Sequence, residues 1–107
     1  AWRALEVALP FMEDGRQIRF LLMPEGEDPD SLIRKEGQAG FEARLAEALS
    51  MDAFLFDSLT GKLDMSQMDQ RAKLATLARP LLQKLPKGNF KSMMYSHLGE
   101  LVGVTQY

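Results

Sequence analysis

The chain has 107 residues, no cysteine and a single histidine, His97. That length sets one domain with one modest core, and the composition excludes disulfides, thiol chemistry and any zinc site built on several Cys or His ligands. A formal net charge of −2 hides an asymmetry, with 6 basic against 12 acidic side chains in residues 1–61 and 7 against 3 in residues 62–107. The asymmetry permits an acidic site in the first part and an anion-facing surface in the second, or simply two solvated faces of opposite sign.

Trp2, Leu5 and Leu9 recur at helical spacing in the opening segment. No Ser, Thr, Asp or Asn precedes them as a cap, so this helix is expected to be cut from a longer one. No basic-then-apolar leader and no apolar run of about 20 residues is present, so neither export nor a membrane span is expected. Pro10 ends the helix and Glu13-Asp14-Gly15 signals a turn.

Residues 16–23, bounded by Gly15 and Pro24, hold Ile18, Phe20, Leu21, Leu22 and Met23. Such a run suits a strand buried on both faces of a parallel sheet. No second strand is predicted anywhere, and one strand cannot make a sheet. The fold class expected is therefore mainly α with one orphan strand, a fragment of a larger α/β domain. An exposed strand edge also predicts a homodimer whose strands pair between subunits, with Trp2, Leu5 and Leu9 covering the shared sheet.

Beyond Pro24 the chain is acidic, then helical. Glu25, Glu27, Asp28 and Asp30 put four carboxylates into six residues just past the carboxyl end of the strand, the edge of an open α/β sheet where ligands bind. Pro29 holds Asp28 extended. Asp28 and Asp30 are the candidate metal ligands, and hard carboxylate oxygens suit Mg²⁺. Asp30 alone also reads as the N-cap of a short helix from about Ser31 to Gly37, and Glu25 and Glu27 as solvated loop residues. No catalytic nucleophile and no cofactor-binding motif emerges.

The remainder is predicted helical. Phe41, Leu45 and Leu49 are spaced by four. Phe54, Phe56 and Leu59 form a second short helix closed by Gly61, and Ser66 with Asp69 resembles a capping box. Leu74, Leu77, Ala78, Leu81, Leu82 and Leu85 form one stripe, with Pro80 expected to bend it. After the Pro86-Lys87-Gly88 turn, Phe90, Met93, Met94, Leu98, Leu101 and Val102 form another. Two long stripes with a short link predict an antiparallel helix hairpin. His97 and the cluster Lys84, Lys87 and Lys91 read as surface groups, and the methionines as gap-fillers.

The runs Ala1-Trp2-Arg3-Ala4-Leu5-Glu6, Asp14 to Phe20, and above all Pro24 to Gly37 with its Asp28-Pro29-Asp30 resemble bacterial replicative DNA primase. Phe41-Glu42-Ala43-Arg44 and Ala53-Phe54-Leu55-Phe56 continue the resemblance, which loosens beyond residue 60. It implies that residues 1–37 are the last part of a TOPRIM module and residues 38–107 a helical subdomain. In that family divalent-metal-binding acidic groups include an Asp-Pro-Asp loop, matched here by Asp28 and Asp30. The implied parent enzyme is a nucleotidyltransferase, a DNA-directed RNA polymerase that uses ribonucleoside triphosphates on a single-stranded DNA template with Mg²⁺ or Mn²⁺. It acts in the cytoplasm at the replication fork, with the replicative helicase as partner. The resemblance places its zinc domain, its other acidic groups, its main single-stranded template groove and its carboxyl-terminal helicase-binding domain outside these residues, so the piece alone is expected to be inactive. The alternatives are a stand-alone helical interaction module, or a piece of another TOPRIM protein such as a topoisomerase or recombination factor.

Overall fold

A computed structural model describes residues 2–21 and 26–103. It contains helix α1 (Trp2–Ala8), a 3-10 turn (Leu9–Phe11), strand β1 (Arg19–Phe20), helix α2 (Pro29–Ala46), strand β2 (Leu49–Ser50), and helices α3 (Met51–Thr60), α4 (Met68–Leu82) and α5 (Asn89–Val102). The mainly helical fold class is as expected. The membrane expectation reduces to this: among the described residues no helix is long and apolar enough to cross a membrane.

The strand is not an orphan. β1 pairs antiparallel with β2, Arg19 opposite Ser50 and Phe20 opposite Leu49. Of the described residues 16–21 of the expected strand, only Arg19 and Phe20 lie in a ladder, and its end at Leu22 and Met23 lies outside the described residues. Phe20 is buried and stacks on Phe54 of α3, ring centroids 4.8 Å apart and planes 15° from parallel. β1 is thus covered from within the chain on one edge and one face. The open-edge argument for a strand-paired homodimer loses that edge.

α3 lies at the centre because it is apolar on most of its circumference, burying Met51, Phe54, Leu55 and Phe56. Around it pack Leu5 and Leu9 from the amino-terminal helix and turn, Leu74, Ala78, Leu81 and Leu82 from α4, Leu85, and Met94 and Leu98 from α5. α4 and α5 form the predicted antiparallel hairpin and contact each other more than any other pair of elements. α4 continues through Pro80. Proline has no N–H to donate, and one turn earlier the Thr76 hydroxyl donates to the Ala72 carbonyl at 3.2 Å.

Several details depart from expectation. Leu77 is 42% exposed and Met93 67%, so each predicted stripe is wider than the buried seam. Leu45 is also exposed, and Leu49 belongs to β2 rather than to a helix. Ser66 does not cap α4. The Asp64 carboxylate instead accepts from the Ser66 hydroxyl at 2.6 Å and the Ser66 N–H at 3.1 Å, and helix α4 starts after Gln67 with no side-chain cap. Those Ser66 bonds, with Gln67 behind them, hold the Asp64 carboxyl below its ordinary range.

A clasp ties the two ends of the fold together. Asp14 accepts from the Asn89 N–H at 2.8 Å and the Phe90 N–H at 2.9 Å, capping α5 from 75 residues away. Free amides at a helix N-terminus favour a carboxylate there. Phe90 first, then Asn89, hold the Asp14 carboxyl below its ordinary range. Gly88 leaves the necessary space, since a Cβ on it would stand 2.9 Å from both Asp14 oxygens.

Candidate metal centre in the acidic loop

Helix α2 presents the acidic loop. Its N-cap is Asp28, not Asp30, with φ −125° and ψ 174° as the following Pro29 requires. Asp28 Oδ1 accepts from the Ser31 N–H at 2.8 Å, while the Asp28 N–H donates to Ser31 Oγ at 2.9 Å, a reciprocal capping box. Proline is favoured at the first helical position, where no N–H is missed, and that places the cap one residue before it. Asp30 lies exposed in the first turn, where the helix dipole favours negative charge.

Glu27 is held rather than solvated. Its carboxylate pairs with the Lys35 ammonium and its Oε2 accepts from Ser31 Oγ at 2.6 Å. Lys35 first, then Ser31, hold the Glu27 carboxyl below its ordinary range. With Glu27 committed, Asp28 Oδ2 and the Asp30 carboxylate are the hard oxygen donors left over among the described residues of the loop. Glu25 lies outside the described residues. Among the described residues no group of three or more Asp, Glu, His or Cys is gathered closely enough to hold a metal ion. Two carboxylates supply only part of the near-octahedral set that Mg²⁺ takes.

The predicted break at Gly37 is present inside α2, at φ 76° and ψ 171°. That backbone region is essentially reserved to glycine. Across the break the Arg44 guanidinium grips the Glu36 carboxylate in a two-pronged pair, both N···O distances 2.6 Å. The pairing lowers the Glu36 carboxyl and raises the Arg44 guanidinium from their ordinary values. The acidic N-terminal half of α2 is thereby fixed at a bend relative to its second half.

The other candidate groups stand apart. His97 meets Phe56 edge-on at 4.9 Å, and its Nδ1 lies 3.8 Å from Glu100. Lys84 lies 3.7 Å from Glu6, and Lys91 donates to the Gln83 carbonyl at 3.4 Å. These are surface ion-pair, ring and turn contacts.

Comparison with known proteins agrees with the resemblance. The chain is 51% identical over 104 residues to the DNA primase of Escherichia coli K12, which covers 97% of this chain and 18% of that protein. It therefore spans about a fifth of the length of the curated relatives it matches. A DNA primase domain from Pseudomonas aeruginosa superposes with a TM-score of 0.88 at 45% identity, covering 96% of this chain and 32% of that structure. A DnaG primase catalytic domain bound to single-stranded DNA superposes with a TM-score of 0.83 at 48% identity, covering 98% and 33%. The family model described as the DnaB-helicase binding domain of primase matches residues 53–106. The helicase-binding description thus attaches to residues 53–106, where the resemblance implied only a helical subdomain. On that match the chain belongs to the DNA primase family, its residues 53–106 matching the segment described as the DnaB-helicase binding domain of primase.

Proposed function

We propose that this chain is the part of a replicative primase that joins the end of a TOPRIM module, residues 1–37, to a helical subdomain, residues 38–107. Within the whole enzyme, Asp28 and Asp30 contribute to a divalent-metal site for the synthesis of RNA primers from ribonucleoside triphosphates on single-stranded DNA. The observation that carries the metal role is the cap geometry. One Asp28 oxygen is locked by Ser31, which orients the other, and Asp30 follows after one rigid proline. The donors fit Mg²⁺ or Mn²⁺ in kind but are too few, so further carboxylates of the primase would complete the set. A bound divalent ion supplies charge neutralisation of the triphosphate and activation of the attacking hydroxyl. This chain's share is to hold two carboxylates in place on a capped helix. The replicative helicase, through residues 53–106, is the partner that the family description supports, and the bacterial cytoplasm is the compartment that follows.

The test is Asp28→Asn and Asp30→Asn in the full-length protein. Asparagine caps a helix as well as aspartate does, so folding is preserved while metal affinity falls. Primer synthesis at limiting Mg²⁺ should drop by at least the roughly 10–100-fold that loss of even an outer-shell metal partner costs. Wild-type synthesis by the double variant would refute the reading.

A further inference from the structure

Between α1, α3 and α4 runs an open groove of about 890 Å³. Its floor is aliphatic and aromatic: Trp2, Leu59, Leu63 and Leu77 line it, and Leu77 is the most exposed leucine on the α4 face. Its rim is basic. Lys62, Lys73 and Lys84 border it, with Glu6 as the one acidic side chain. Glu6 lies 3.7 Å from Lys84 and offsets that charge. Among the described residues Lys62 and Lys73 have no ion-pair partner, and both are exposed.

We propose that this groove docks an acidic amphipathic helix of a partner protein, its apolar side chains seated on Leu77 and Trp2 and its carboxylates facing Lys62 and Lys73. Helices recognised in this way lay apolar anchors spaced three and four apart into a hydrophobic groove. Charges around the groove then set the partner's sign and speed its encounter. A nucleic acid is the poorer fit, because the second ring in the lining, Phe54, is buried and the remaining apolar residues are aliphatic, which leaves Trp2 alone for a base to stack on. The groove shares no residue with the acidic loop, so this inference does not depend on the metal reading. It rests on the family reading only in that most of its lining falls within residues 53–106.

The experiment uses a fluorescein-labelled peptide of about 18 residues, long enough for some helicity in isolation, with Leu along one face and Glu and Ala on the other. A control peptide carries Lys in place of Glu. Anisotropy is read against the 107-residue chain and the full-length protein. In the 107-residue chain Trp2 is the only tryptophan, so its emission reports on the groove itself. The acidic peptide should bind saturably and shift the Trp2 emission, and the basic one should not. Leu77→Gln, at an exposed position, should weaken binding by about tenfold, the loss of one apolar anchor, and Lys62→Glu with Lys73→Glu should weaken it further. Circular dichroism confirms that each variant is folded. Equal binding of the basic peptide, indifference to Leu77→Gln, displacement by single-stranded DNA, or a stable dimer in sedimentation equilibrium that the peptide does not disturb would each overturn the proposal. None of these outcomes bears on Asp28 and Asp30, which primer synthesis tests separately.

Discussion

Leu74 and Leu77 lie one turn apart on α4, and truncating each should separate the core from the groove. Leu74 is 0% exposed and belongs to the core cluster. Replacing it by alanine removes three carbons and leaves a closed cavity, a change that costs about 2–5 kcal/mol. Leu77 is 42% exposed. The same three carbons carry about 0.8 kcal/mol each when buried, so a little over half of roughly 2.4 kcal/mol is at stake, and no closed cavity forms. Alanine's better helix propensity returns a few tenths of a kcal/mol. Leu77→Ala should therefore cost about 1 kcal/mol, or roughly 4–8 °C in Tm for a domain near this size. Urea denaturation of the two variants side by side reads both. Equal losses would put Leu77 inside the core, close the groove and refute both the placement of the α4 seam and the docking surface built on it.

Asp14→Ala should destabilise the fold by detaching the cap of α5. The Asp14 carboxyl is lowered in the folded state from its ordinary 3.8, so its contribution is complete above that value and is lost as pH falls through the lower folded value. The difference between wild type and Asp14→Ala should then vanish at acid pH, and a difference that persists unchanged to pH 2 would refute the clasp. Gly37→Ala forces a side chain into backbone reserved for glycine and should cost about 1–3 kcal/mol, read by thermal denaturation; no loss would mean that the bend relaxes freely. Asp28→Ala should lower stability by about 0.5–2 kcal/mol whereas Asp28→Asn should not, and equal effects in urea would argue that the carboxylate's charge, rather than its cap bond, matters to folding.

Where the chain's own short-range chemistry decides structure, the sequence was a sufficient guide. Apolar spacing located α1, α3 and the α4–α5 hairpin, Pro29 fixed the extended Asp28, and glycine marked the break at Gly37. The N-cap reads as Asp30, yet a proline at the first helical position points to the residue before it, a signal in the sequence that favours Asp28. Other features depend on partners far along the chain. β2 is two residues long, and nothing in Leu49-Ser50 marks it until Phe20 arrives opposite. The clasp between Asp14 and α5 is carried by backbone amides, which leave no trace in side-chain pattern. The apolar stripe of α4 shows which residues are hydrophobic but not how wide a stripe its neighbours cover, so Leu77 read as core. At the candidate site, composition alone does not divide Asp28 and Asp30 into a cap and an exposed first-turn carboxylate, since both stand at the start of one helix.

Helix α2 contributes a single buried side chain, Leu32, which stands outside the main core cluster. The radius of gyration of 15.9 Å exceeds the roughly 13 Å of a compact chain of this length, consistent with a helix carried at the periphery. Cooperative units with little buried apolar surface open at lower free energy than the whole molecule. The amides of α2 should accordingly exchange with deuterium through a local opening of their own, well before those of α3 and α5. The acidic cap would thus ride on a unit that can melt and re-form while the helical core stays intact, and a ligand gathered at Asp28 would register first as slowed exchange in residues 31–36.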